Sequence, residues 1–206
     1  MSKSDQATTQ TLDYYNRVAT DYSDKFAGGE TPFLAQFIDQ LLSGQLVLDL
    51  GCGPGHCARD MANAGLRVEA IDGAAEMVEL AKRHPGVIAN QAMFDELDHQ
   101  NRYDAIWANF SLLHAPRAQF PDCLARIYAA LKPNGLFHIG MKLDQDDGVD
   151  RLGRHYTYYR LDELKEFLNR AGFEVVRQEL SSGKGMAGND EPCAILWSRT
   201  RKKSDD

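Results

Sequence analysis

The residues best suited to chemistry lie in one short run, Asp49-Leu50-Gly51-Cys52-Gly53-Pro54-Gly55, and in a carboxylate, Asp72, about 20 residues further on. A glycine-rich turn between a buried strand and a helix lets a ligand come close to the backbone. An acidic side chain ending the next strand accepts hydrogen bonds from both hydroxyls of a ribose. Together the two features describe a site for a nucleoside-bearing ligand, and a bare strand-to-helix connection accounts for neither carboxylate. The glycine spacing then separates ligand classes. A dinucleotide fingerprint, G-x-G-x-x-G, seats a pyrophosphate on a helix amino terminus and would need a glycine at position 56, where this chain has His56. The turn is instead G-x-G-x-G, and Asp49, inside the strand, suits a cationic amino group better than a phosphate.

The elements that must hold these residues follow from the apolar pattern. Residues 12–26 and 33–42 carry apolar side chains at helical spacing, separated by Gly28-Gly29. Leu46 to Leu50 is an apolar run closed by glycines, the mark of a buried parallel strand. Helices near 56–64, 74–83 and 117–131 then alternate with strands at 67–71, 86–91 and 104–109, and after the turn Lys132-Pro133-Asn134-Gly135 with a strand at 136–140. A helix at 162–171 stops at Gly172, a strand begins at Phe173, a glycine-rich loop spans 181–190, and a last strand covers 193–198. This order predicts an α/β, Rossmann-like, doubly wound and mostly parallel sheet of seven strands that closes with a C-terminal antiparallel hairpin. Residues 1–198 are expected to form a single domain, with N-terminal helices over 1–42 and an insertion at 142–160. The charged segment 199–206 is expected to be a disordered tail.

The chain has 206 residues, 43% of them hydrophobic, which suffices for one full-sized core. A formal net charge of −7 leaves no electrostatic footprint for a polyanion, so no duplex nucleic acid is expected as partner. No apolar run reaches the roughly 18 residues that span a bilayer, and the first residues lack a signal-peptide core, so the expected location is cytoplasmic, without membrane contact. The four cysteines, at 52, 57, 123 and 193, form no metal-ligand spacing; they read as small apolar residues in a reducing compartment, and no metal is expected.

The chain resembles the class I S-adenosylmethionine-dependent methyltransferases. The likeness is carried by Val47-Leu48-Asp49-Leu50-Gly51-Cys52-Gly53-Pro54-Gly55, by Glu69-Ala70-Ile71-Asp72, by Tyr103-Asp104-Ala105-Ile106-Trp107-Ala108-Asn109, and by Leu131-Lys132-Pro133-Asn134-Gly135 leading into Leu136-Phe137. It covers most of residues 12–198, and small bacterial tellurite-resistance-related and ubiquinone-biosynthesis-like methyltransferases are similar in look. The resemblance implies S-adenosyl-L-methionine as cofactor, with S-adenosyl-L-homocysteine as product. Gly51, Gly53 and Gly55 would lie along its methionine part, Asp49 would face the amino group and Asp72 would hold the ribose. Gly73, Met77, Met93 and Phe94 would border the adenine. Ala92 stands where the family often has an acidic residue that reads the purine, with Asp95 a poor substitute. Asn109, followed by Ser111 and His114, would face the methyl group. Tyr22 would cover the cofactor, and Tyr14, Tyr15, Arg154, Tyr156 and Tyr158 would line the acceptor site.

Methyl transfer from a sulfonium is an in-line displacement in which the cofactor brings the reactive carbon, so the protein mainly aligns the partners, an effect worth about 7–11 kcal/mol. His114 or His155 would take a proton from a hydroxyl or ammonium acceptor; a thiolate would need no base. Duller roles stand beside these: His114 as turn filler, Tyr156, Tyr158 and Tyr159 as core, and Arg151, Arg154 and Arg160 as partners of Asp144, Asp146, Asp147 and Asp150. The expected function is methylation of a small-molecule acceptor by a monomer or homodimer. The alternatives are an RNA or protein methyltransferase, a non-catalytic S-adenosylmethionine-binding protein and, less in keeping with His56, a nicotinamide-dependent oxidoreductase.

Overall fold

A computed structural model describes residues 3–29, 31–143, 147–184 and 190–202. Five parallel strands form its centre: β1 (Leu46–Leu50), β2 (Arg67–Asp72), β3 (Val87–Gln91), β4 (Tyr103–Asn109) and β5 (Leu131–Lys142). The long strands β8 (Phe173–Lys184) and β9 (Asp190–Thr200) pair antiparallel and extend the sheet, giving the order β3-β2-β1-β4-β5-β9-β8. The short strands β6 (Gly148–Val149) and β7 (His155–Tyr156) pair apart from it. The order reverses direction between β1 and β4, where an open α/β sheet forms its ligand crevice beyond the carboxyl ends of the strands.

Alternation along the strands divides the core. Leu46, Leu48 and Leu50 pack with Ile106, Phe137 and Ile139 on one face, beneath α5 (Phe120–Ala130) and α6 (Leu161–Arg170). Val47 packs with Ala105, Trp107 and Trp197 on the other, beneath α2 (Leu34–Ile38), α3 (His56–Asn63) and α4 (Ala75–Ala81). By this parity Asp49 shares the face of Val47, and Asn109 that of Trp107. A third, smaller cluster joins Ala19 to Ala74 and Met77, laying the 24-residue helix α1 (Lys3–Phe26) along α4.

Five elements differ from their sequence reading. Helix α1 starts at Lys3, because its polar first third has no apolar stripe to announce it. Helix α2 is cut to five residues: Phe33, at φ 68°, breaks the pattern at its start, and a turn follows Ile38. The Lys132-Pro133-Asn134-Gly135 segment is a bulge within β5, with Asn134 at φ 58°, as the partners of Tyr103 and Ala105 are Leu131 and Leu136. The expected loop at 181–190 is strand at both ends: Ser181 to Lys184 pair with Cys193 to Asp190, and 185–189 lie outside the described residues. Strand β9 also runs to Thr200, two residues into the expected tail, and residues 203–206 lie outside the described residues.

Candidate active site

Strand β1 carries Asp49 to the crevice at 3% exposure, with its Oδ2 buried and without a hydrogen-bond partner among the described residues. Burial, reinforced by the negative Asp72, pushes its carboxyl up to about 7, against the opposing Ala58 amide. At the end of β2, Asp72 accepts the Gly53 N–H at Oδ2 and the Ala74 N–H at Oδ1, both at 2.8 Å. Burial raises its pKa and these two amides counteract it. A carboxylate has about four lone-pair sites, so each oxygen of Asp72 can accept one bond more.

The three glycines of the turn all have positive φ but answer different needs. A Cβ on Gly51 would lie 2.3 Å from the Cβ of Ser111, and one on Gly55 would lie 2.9 Å from the Ala81 backbone, so these two serve packing. A Cβ on Gly53 would meet nothing within 4 Å, so this is where the turn leaves room for a ligand.

Helix α1 roofs the crevice through polar contacts. The Nδ1 of His114 lies 2.7 Å from the carbonyl of His155 and must donate to it, which leaves Nε2 to accept from the Tyr15 hydroxyl at 2.9 Å. Arg154 in turn donates to the Tyr15 oxygen at 3.0 Å. The His155 N–H donates to Thr11 Oγ1 at 3.0 Å, and His56 donates from Nε2 to the Ser23 carbonyl at 3.1 Å. Tyr15→Phe removes one hydroxyl that serves two partners. It is expected to lower stability by about 1–2 kcal/mol in urea unfolding; an unchanged midpoint would show that these bonds contribute nothing net.

The cavity beneath α1 measures about 760 Å³, within the range of small-molecule sites. All but four of the site residues anticipated from sequence line it; the exceptions are Gly55, Tyr14, His155 and Tyr158. Gly55 packs on α4, Tyr14 is buried with the Arg154 guanidinium 5.3 Å from its ring centre, and Tyr158 stacks behind Tyr156 at 5.9 Å. His155 contributes its backbone, as donor to Thr11 and acceptor for His114. Leu12, Met77, Met93 and Phe94 give the β2–β3 end an apolar wall, with Ala92 and Asp95 beside it.

Toward β5 and β9 the cavity holds groups the sequence did not reveal: Lys142, its ion-pair partner Glu191, Gln119 and Phe110. Lys142 also sits 4.2 Å from the centre of the Tyr156 ring. Lys142 and Glu191 are far apart in sequence, and the antiparallel pairing of β5 with β9 brings them together.

Two groups are poorly suited to their anticipated chemistry. Burial drives the His114 imidazole down to about 4, and the Tyr15 hydroxyl occupies its free lone pair. At neutral pH it is an uncharged structural link with little capacity to take a proton. Arg154 is 2% exposed and donates from Nε and Nη2 to Asp150 and from Nη1 to Tyr15, so its guanidinium is spent on the roof.

A doubly wound sheet with a carboxylate-flanked glycine turn at its crevice defines a nucleoside-cofactor protein of Rossmann-like class. A family model for a methyltransferase domain matches residues 47–135. Sterol 24-C-methyltransferase of Eremothecium gossypii is 26% identical over 76% of this chain and 46% of its own length. Carboxy-S-adenosyl-L-methionine synthase of Glaesserella parasuis is 29% identical over 58% of this chain and 55% of its own. The chain thus spans about half the length of these relatives. The crystal structure of Burkholderia thailandensis 1,6-didemethyltoxoflavin-N1-methyltransferase, with bound 1,6-didemethyltoxoflavin and S-adenosylhomocysteine, superposes with a TM-score of 0.80. That likeness covers 98% of this chain and 92% of that one at 24% identity. Residues 47–135 thus match a methyltransferase domain, and the chain as a whole is similar to S-adenosylmethionine-dependent methyltransferases. No helix among the described residues is long and apolar enough to cross a membrane.

Proposed function

We propose that this protein transfers the methyl group of S-adenosylmethionine to a small-molecule acceptor. The observation that carries the reading is the buried, unpartnered Oδ2 of Asp49 beside the open turn at Gly53, one strand away from Asp72. A buried carboxylate needs a cationic partner, which the cofactor's amino group supplies. Asp72 has lone pairs left for ribose hydroxyls, and the wall of Leu12, Met77, Met93 and Phe94 suits a purine. The bound cofactor brings an electrophilic methyl on sulfur. With its nucleoside over β3 and β2 and its methionine part over β1, the sheet order leaves β4, β5 and β9 for the acceptor.

The chain's contribution is alignment and exclusion of water under α1. As His114 is neutral and already bonded, the acceptor reacts through a lone pair present at neutral pH, such as a ring nitrogen, a free amine or a thiolate. The sterol and didemethyltoxoflavin in the names of the similar proteins support a small acceptor, as does the net charge of −7, which disfavours RNA.

Thermal unfolding with S-adenosylmethionine, S-adenosylhomocysteine, NAD and NADP in parallel tests the cofactor. Saturating adenosyl ligand at 100 times its Kd adds about 2.7 kcal/mol, a rise of roughly 5–10 °C for a chain of this size. A rise with a dinucleotide, or with none of the four, overturns the reading. The likeness to a carboxy-S-adenosyl-L-methionine synthase favours a second reading, in which the cofactor itself is modified. Mass spectrometry separates the two: methyl transfer yields S-adenosylhomocysteine and a methylated acceptor, and the alternative yields a heavier cofactor.

A further inference from the structure

Beneath the acceptor end of the cavity lies a buried polar chain that the reaction as described does not use. His138 on β5 is wholly buried, between Trp107 on β4 and Trp197 on β9, its register partners on either side. Its ring stacks on Trp107 with centroids 3.4 Å apart and planes 16° apart, and Phe37 of α2 meets it edge-on. The Trp197 indole N–H lies 2.9 Å from His138 Nδ1. An indole nitrogen only donates, so Nδ1 is the acceptor and carries no proton. Burial holds the imidazole neutral, which puts its one proton on Nε2. Nε2 is 3.0 Å from Asn109 Oδ1, a bond in which the imidazole donates. The carboxamide oxygen of Asn109 is thereby turned toward β5. Gly140, the register partner of Asn109, makes that approach possible, since a Cβ there would lie 2.6 Å from Oδ1.

We propose that Trp197 and His138 act as a positioning relay, fixing the Asn109 carboxamide so that it offers its N–H group to the cavity, and that the acceptor meets it with a lone-pair oxygen or nitrogen. A phenylalanine at 138 would fill the space without the cost of burying an imidazole, and the imidazole is tolerated because both its nitrogens are satisfied. What the polar chain adds over an apolar filling is orientation: a free carboxamide can flip by 180°, and this one is pinned through two hydrogen bonds of unambiguous direction. An acceptor with a carbonyl, ring nitrogen or similar group next to its methylated atom would be held against β4. This inference rests on the methyl-transfer reading for its ligand, while the relay itself rests on geometry alone.

The test is nitrogen-15 NMR of the histidines in the full chain, with and without S-adenosylhomocysteine, joined to calorimetric titration of that ligand. The relay requires His138 to give the signature of the Nε2–H tautomer and the Asn109 side chain to give a single pair of amide signals, as a carboxamide held in one orientation does. In Trp197→Phe the tautomer signature should mix and the Asn109 amide pair should shift or double as the carboxamide takes both orientations, with the Kd for S-adenosylhomocysteine within threefold of the parent. An Nδ1–H signature in the parent, or an unchanged amide in Trp197→Phe, overturns the relay. A more than tenfold loss of S-adenosylhomocysteine binding in a folded Trp197→Phe overturns the acceptor assignment and gives Asn109 to the cofactor. If the parent binds no S-adenosylhomocysteine while His138 shows the Nε2–H signature, the methyl-transfer reading and the acceptor assignment fail and the relay geometry stands.

Discussion

Asp72→Ala is expected to weaken S-adenosylhomocysteine binding by about 2–3 kcal/mol, a loss of roughly 30- to 150-fold in Kd. Charge-assisted bonds to a ribose are worth about that much. The same carboxylate also accepts the Gly53 and Ala74 amides, so alanine frees the turn and the start of α4 together. Asp72→Asn separates the two contributions. Its single carbonyl can hold one amide while its NH2 group faces the other, and affinity should fall between the parent and alanine forms. Calorimetric titration reads the constants, and circular dichroism confirms that each variant is folded. An unchanged Kd in Asp72→Ala would remove this residue from ribose recognition and take the cofactor assignment with it.

The parts legible in the sequence are those written in consecutive residues. The turn at 51–55, the two carboxylates and the alternation of strands and helices each reside in one short window, and local chemistry suffices to place them. What stayed hidden depends on which strand lies beside which. The pairing of Lys142 with Glu191 and the stacking of His138 between Trp107 and Trp197 exist because β9 inserts beside β5 ahead of β8, a topology no window displays. His114 shows the converse. Its position after β4 was readable, but its protonation is set by burial and by partners on α1 and β7, so a residue anticipated as a base is an uncharged tether. The polar onset of α1 was invisible for a related reason, since this helix is held by hydrogen bonds to the site as much as by an apolar stripe.

Asp49→Asn is expected to stabilise the free protein and weaken its hold on the cofactor, and the pH dependence of the first effect identifies its cause. A carboxyl raised from an ordinary value near 3.8 to about 7 binds a proton on folding between those pH values. Its contribution to stability is therefore present at low pH and is lost as pH rises from about 4 to 7, at about 1.4 kcal/mol per unit. His114, lowered from 6.5 to about 4, works in the opposite sense, adding stability as pH rises through nearly the same window. In the parent protein the two slopes largely cancel, so the parent curve hides both. In Asp49→Asn the histidine slope stands uncompensated, and the stability difference between variant and parent grows with pH to a plateau above pH 7. That plateau lies on the order of 2–4 kcal/mol, roughly 5–10 °C in Tm. Cofactor binding runs the other way: the cationic amino group needs the ionised carboxylate, so the parent should release a proton on binding below pH 7 and bind more tightly as pH rises to that point. Titrations in buffers of different ionisation enthalpy detect that proton. A stability difference that is flat from pH 4 to 8, together with binding that releases no proton, would mean that Asp49 is ionised and solvated in the free protein and has no vacancy for a cation to fill.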